Sequence, residues 1–361
     1  MGETLLMVGT AKGLFTFQSN DRVTWQRKGP AFRETPVYAA VLDGRSDTML
    51  AGVNSEFYGP SIRRSKDFGE TWDSGGEGLS YGPEDGEKVS RVWSILPGDA
   101  DEPGLIYAGV EASGLFRSRD GGDTWAEIPS LRAHPTHDAW SAGYGGKCLH
   151  TIGIDPFSSA QIYIACSTGG FYRSDDGCES WSAMNGGIEA DFLPEDQRFP
   201  VAGQCVHKFA LSQTQPGRIW LQNHGGVYRS DDAGAHWINV GAGLPADFGF
   251  PIVAHPSNPD AAYVIPLQGG DRRWAPDARL AVYGTTDAGM TWRRLPAGLP
   301  EESYVGVLRD AFRSDGEDPL GLYFGTTSGS LFASADGGWN WSEIASHLPR
   351  IHSVTVGRLP A

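Results

Sequence analysis

Histidine, cysteine and carboxylate side chains recur at matched places in this 361-residue sequence. Cys148-Leu149-His150 and Cys205-Val206-His207 open two short apolar segments of one pattern, and Ile351-His352-Ser353-Val354 opens a third. Aligned on it, Val92-Trp93-Ser94-Ile95 and Val37-Tyr38-Ala39-Ala40 put aromatics at the His place, and Phe250 and Arg309 fall there in two more segments. Should the segments converge, Tyr38, Trp93, His150, His207, Phe250, Arg309 and His352 form one layer. His150, His207 and His352 would then suit one divalent transition metal (Zn, Mn, Fe or Ni) with a coordination position left open. Without a metal, His150 and His207 would carry protons while Arg309 holds an anionic substrate group. A solvated polar lining is the third reading. Side chains alternate along a strand, so each Cys shares a face with its His; both Cys also suit small buried apolar roles.

Carboxylates come next. Glu56, in Asn54-Ser55-Glu56-Phe57-Tyr58, and Glu111, in Val110-Glu111-Ala112-Ser113, are candidates for a general acid and base, or for metal ligands. Asp310 follows Arg309, and His224 lies in Asn223-His224-Gly225-Gly226. Tyr38, Trp93, Lys208, His224, Asp310 and Tyr144 are the expected substrate contacts. Long connections at 73–92, 126–149 and 182–206 follow one another and should wall one side of the layer. They carry His134-Pro135-Thr136-His137-Asp138-Ala139-Trp140, Gly143-Tyr144-Gly145-Gly146-Lys147 and Glu195-Asp196-Gln197-Arg198. His236 and His255 read as structural, and Asp271-Arg272-Arg273-Trp274 as a solvated loop.

The elements that must position these groups are set by a repeat. Ser65-x-Asp67-x-Gly69-x-Thr71-Trp72 returns as Ser118-x-Asp120-x-Gly122-x-Thr124-Trp125, and again around Asp176, Asp232, Asp287 and Asp336. A degenerate copy ends on Thr24-Trp25, with Asn20 in the Asp place. The closing Trp residues, 25, 72, 125, 181, 237, 292 and 341, lie 47 to 56 residues apart. Asp before Gly favours a tight turn, because the carboxylate accepts backbone N–H bonds and Gly takes positive φ. The Trp is a large apolar anchor beginning the next strand. Each unit also holds three short apolar segments, so four strands fill about 50 residues, the size of a propeller blade. Ile351–Gly357 supplies a first strand with no blade after it, and Thr4–Gly9, Gly13–Phe17 and the segment from Trp25 supply the missing three. The expectation is an all-β, single-domain, seven-bladed β-propeller over residues 1–361, with one blade shared between the termini.

These turns resemble the Asp-box (BNR) repeats of sialidase-like propellers, and the resemblance covers essentially the whole chain. It is also similar to cytoplasmic bacterial BNR proteins labelled exo-α-sialidase or glycosyl hydrolase. The resemblance implies the propeller fold, with a glycosidase-like hydrolase as the first expectation. A His/Arg-dependent lyase and a non-catalytic scaffold or assembly factor are the alternatives. Sialidases hold a sugar carboxylate with three arginines, use a Tyr nucleophile paired with Glu, and carry an Arg-Ile-Pro motif. This chain has no Arg-Ile-Pro, and its Arg64, Arg117, Arg173 and Arg229 belong to the repeat. True sialidase chemistry is therefore not expected.

Composition narrows the partners. With 29 basic and 44 acidic residues, the net charge of −15 argues against nucleic acid and anionic membrane. No apolar run reaches the roughly 18 residues that cross a bilayer. Four cysteines make a poor disulfide framework, and no export signal precedes them. The expected setting is a reduced cytoplasm, with a small-molecule or saccharide substrate and no nucleotide cofactor.

Overall fold

The computed structural model describes residues 2–83, 86–270 and 272–360. Its regular structure is almost entirely antiparallel β-strand. One meander of four strands, hydrogen-bonded in chain order, comprises Val206–Leu211, Ile219–Asn223, Gly226–Ser230 and Ile238–Asn239. Meanders of the same order span 249–295 and 312–345. Two more, over 91–127 and 148–183, are joined by a single pairing of Glu111 with Cys148, and 37–65 contributes three strands. The remaining sheet uses both ends of the chain. Ile351–Arg358 runs antiparallel to Thr4–Thr10, with Val354 opposite Val8, and Gly13–Ser19 and Gln26–Ala31 follow.

Thr4–Thr10 is buried at every position, which is why it reads as an apolar run rather than an alternation. The core sits between sheets. Tyr163, Ala165 and Phe171 of one meander pack with Val206, Phe209, Ile219 and Leu221 of the next. Burying such side chains stabilises by about 1.5–3 kcal/mol each.

The repeated turn has one hydrogen-bond plan. Ser118 Oγ donates to Asp120 Oδ1 (2.7 Å) and accepts from the Gly122 amide (2.8 Å), while Asp120 accepts from the Thr124 amide (2.9 Å) and hydroxyl (2.6 Å). The turns around Asp67, Asp176, Asp232, Asp287 and Asp336 repeat it, with His236 and Asn340 in the Thr place of two of them. The Thr71 hydroxyl, then its amide and Ser65, pull the Asp67 carboxyl down to about 2. Three of the closing Trp residues reach across by hydrogen bond: Trp181 Nε1 donates to Ser130 Oγ (3.1 Å), Trp237 Nε1 to the Met184 carbonyl (2.8 Å) and Trp292 Nε1 to the Val240 carbonyl (2.7 Å). The first turn corrects the sequence reading. Asp21, not Asn20, accepts from Ser19 and from the Val23 and Thr24 amides, in a turn one residue shorter. Asn20 instead donates to Glu3.

Candidate functional site

Six inner strands break their pairing register at matched places, whereas Phe312–Ser314 pairs without a break. The residues passed over are Tyr38, Trp93, His150, His207 and His352, and a break between Gly249 and Ile252 holds Phe250. A bulge bends the strand and re-aims the extra side chain, so one backbone irregularity accounts for six of the seven positions aligned in the sequence; Arg309 lies before its strand, outside any bulge. Tyr38 stacks on His352 with ring centroids 4.1 Å apart and lies 4.7 Å from Trp93. The Arg309 guanidinium sits 5.4 Å from the Trp93 ring and 5.9 Å from Phe250, and Phe250 lies 4.8 Å from His207.

The histidines differ from one another. His150 is fully buried; its Nε2 donates to the Val206 carbonyl (3.0 Å) and its Nδ1 pairs with Thr151 Oγ1 (2.9 Å). Burial, then the Arg309 charge, pushes its pKa well down. With both nitrogens occupied and the ring neutral, His150 is a framework residue, which corrects its expected roles as proton carrier and metal ligand. His352, against Tyr38, is pushed down to about 4 by burial. His207 Nδ1 donates to the Gly249 carbonyl at 2.5 Å, which leaves Nε2 as an acceptor 3.5 Å from Cys205 Sγ. The ring of His224 is 5.7 Å from that of His207. The structure therefore does not assemble His150, His207 and His352 as a ligand set. Among the described residues, the His, Cys and carboxylate groups close enough to share an ion are Cys205, His207 and His224, with donor atoms within 4.8 Å of one another. Cys205 does face its His as alternation requires, whereas Cys148 accepts from Arg309 Nη1 at 3.3 Å.

Below the ring, buried Lys208 donates from Nζ to Asp310 Oδ1, and Arg313 Nη2 lies 3.8 Å from the same oxygen. Burial, against the pull of Asp310, brings the Lys208 ammonium down to about 8. Above the ring is a cavity of about 180 Å³, walled by Tyr38, Trp93, Phe250 and His352, with Asp310 at its floor and Tyr144 and Gly145 over it. Arg273, Arg309 and Arg350 reach it too, and Arg273 lies 4.8 Å from the Tyr144 ring. Beneath, the channel widens to about 650 Å³ past Thr151, Lys208 and Ser353.

Glu111 accepts from Arg91 (2.9 Å) and from Trp93 Nε1 (3.2 Å). Gly146, at φ +87°, lets the backbone of the Tyr144 loop pass against it: a Cβ there would lie 2.2 Å from Glu111 Oε1. Glu111 thus ties Trp93 to the loop above the cavity. Glu56 is exposed beside Phe57 and Tyr58, both 93% exposed, and does not join this group. His137 and Trp140 turn inward, and Trp140 Nε1 donates to the Tyr172 hydroxyl at 2.8 Å, so the 134–140 stretch is packing. Asp271 lies outside the described residues, but Arg273 of the same expected solvated loop lines the cavity. Arg273 of the cavity, and the closeness of Cys205 and His207 to His224, carry no mark in the local sequence pattern. Arg350 of the same cavity carried one signal: it lies two residues before His352, as Arg91 lies two residues before Trp93.

No family model matches the chain. It is 26% identical over 323 residues to a xyloglucanase of Hypocrea jecorina, covering 81% of this chain and 37% of that protein. It is 27% identical over 273 residues to an oligoxyloglucan-reducing end-specific xyloglucanase of Emericella nidulans, covering 68% and 31%. The chain thus spans about a third of the length of these relatives. Among solved structures, an ancestral GH74 enzyme superposes with a TM-score of 0.60 at 16% identity, over 89% of this chain and 38% of that one. YCF48 bound to a D1 peptide superposes at 0.53 and 14% identity, over 90% and 86%. Sheet order and these likenesses together make the fold all-β and propeller-like.

Proposed function

We propose that the chain is a glycosidase-like hydrolase acting on a polysaccharide over the loop-lined mouth of a seven-bladed propeller, the meanders above being its blades. The observation that carries this is the cavity in which Asp310 lies beneath Tyr38, Trp93, Phe250 and Tyr144. Aromatic faces suit the apolar C–H faces of sugar rings, and Arg273, Arg309 and Arg350 can donate to sugar oxygens. The xyloglucanase names of the sequence relatives support the same substrate class. Glycoside hydrolysis needs two carboxyl groups. Asp310, paired with Lys208, is our base or nucleophile. Glu111 is our proton donor, a role that requires substrate to draw Arg91 away from it. His352, kept neutral by burial, and Tyr38 form the wall against which the ring would sit. The test is release of reducing ends from xyloglucan and related β-glucans by the purified chain, compared with Asp310→Asn. Loss of a catalytic carboxylate should lower kcat by about 10²–10⁴-fold.

A second reading, a non-catalytic binding propeller, draws on two observations. The chain covers 86% of YCF48 but only 38% of the GH74 enzyme. The adjacent Phe57 and Tyr58 both stand 93% exposed, as aromatics that contact a partner would. Saturable glycan or peptide binding without turnover would select it.

A further inference from the structure

Cys205, His207 and His224 come from two adjoining places in one meander. Cys205 immediately precedes the strand Val206–Leu211, whose bulge turns His207 inward. His224 occupies the turn between Ile219–Asn223 and Gly226–Ser230. The His224 amide donates to the Cys205 carbonyl at 3.0 Å, which locks the two residues side by side, and Val206 pairs with Asn223 between them. The Gly249 carbonyl takes the Nδ1 proton of His207, so the Nε2 lone pair is presented to Cys205 Sγ at 3.5 Å. That separation is what two ligands of one tetrahedral zinc require: bonds of about 2.3 Å to sulfur and about 2.0–2.1 Å to nitrogen put the ligand atoms roughly 3.5 Å apart. A backbone carbonyl fixing the tautomer of a ligating His is the usual outer-shell arrangement. A simple S–H···N contact would account for Cys205 and His207, but not for the third donor on His224 within 4.8 Å.

We propose that these three side chains form a site for a zinc-type divalent cation, with the fourth position left to water or a ligand donor. One thiolate and two imidazoles are a borderline-soft set that favours zinc over magnesium or calcium. Cys205 and His224 are partly exposed, which gives the ion a route in. Gly225 admits the Asp191 carboxylate alongside His224: a Cβ at 225 would lie 2.6 Å from Asp191 Cγ. Its negative charge offsets the repulsion from Arg273. Phe250, 4.8 Å from the His207 ring, also lines the Asp310 cavity, whereas Cys205, His207 and His224 do not, so the ion would adjoin the sugar site without lining it. Binding releases the thiol proton to solvent.

The test uses the whole chain, purified without an affinity tag, stripped with chelator and titrated with Zn²⁺ and then Co²⁺. The expected result is one equivalent per chain, with Co²⁺ giving a thiolate charge-transfer band and the visible bands of a tetrahedral ion. Cys205→Ser should abolish the charge-transfer band. His224→Ala should weaken Zn²⁺ by more than the roughly 10–100-fold that loss of an outer-shell partner costs. His255→Ala should change neither, and far-ultraviolet circular dichroism shows that each variant is folded. Failure of the folded wild type to take up stoichiometric Zn²⁺ or Co²⁺, or undiminished uptake by a folded Cys205→Ser/His224→Ala chain, would overturn the proposal. Metal uptake is read without any sugar, so this outcome is separate from that of the glycosidase reading.

Discussion

Replacing Lys208 by Met keeps most of the apolar stem of the side chain and removes its ammonium, with both the charge and the hydrogen bond to Asp310. In the folded chain the Lys208 ammonium is almost wholly enclosed and its partner Asp310 is nearly so, with side-chain exposures of 6% and 13%. The substitution therefore strands a carboxylate whose remaining cation, Arg313, lies 3.8 Å away and is itself half-exposed. Removing one partner of a buried pair costs about 3–5 kcal/mol, and Arg313 should keep the loss near the lower end. A chain of 361 residues has an unfolding entropy of about 0.76 kcal/mol/K at roughly 2.1 cal/mol/K per residue, so Tm should fall by about 4–7 °C. Near-ultraviolet circular dichroism, sensitive to the 12 Trp, follows the transition. Apolar residues replacing both members of a buried pair are tolerated far better than one alone, so Lys208→Met/Asp310→Leu should melt above Lys208→Met. A Lys208→Met chain within about 1 °C of wild type, or a double variant whose loss equals the sum of the singles, would refute the reasoning.

Other outcomes follow from the same geometry. Asp120→Ala should cost about 0.5–2 kcal/mol, as loss of a capping side chain does, read as a denaturant midpoint shift with an unchanged slope. Because Asp21, Asp67, Asp120, Asp176 and Asp287 sit at about 2 in the fold against 3.8 in the open chain, the unfolded state binds more protons between these values. The stability they contribute is present above about pH 4 and lost as pH falls toward 2; a Tm unchanged from pH 5 to pH 2.5 would contradict it. His352, at about 4 against 6.5, gives a gentler loss as pH falls from 6.5 to 4, and His352→Gln should flatten that limb of the Tm profile. Gly146→Ala drives a Cβ against Glu111 and should raise KM for glycan, while Asp120→Ala leaves KM unchanged.

The repeat made most of the architecture legible. Its turn chemistry is local, so Ser, Asp, Gly, Thr and Trp at fixed offsets are readable without any tertiary information. Residues related by the repeat must also occupy related places, so the layer from Tyr38 to His352 could be assembled by alignment. What alternation missed was the bulge: simple period two gives the position of His150 but not its turn into the Val206 carbonyl, and so it suggested a free imidazole. Counting back from Trp25 puts Asn20 in the Asp place because the count assumes a full-length turn, whereas this one is a residue short and uses Asp21. Arg273 and Arg350 were illegible for another reason. Arg273 comes from a loop and Arg350 from the residue before Ile351–Arg358, and their convergence on one cavity depends on chain paths that no local pattern encodes. Cys205 was legible as a residue type, but its place beside His224 was not, because strand pairing brings the two together.

The glycosidase reading turns on Asp310. The direct measurement is the initial rate of reducing-end release from xyloglucan by wild type and Asp310→Asn, each checked by its melting curve, with glycan binding followed in parallel by calorimetry. The account predicts turnover by the wild type and a fall of about 10²–10⁴-fold in kcat for Asp310→Asn with binding retained. Binding without turnover by the wild type, or an Asp310→Asn chain as active as the parent, would contradict it.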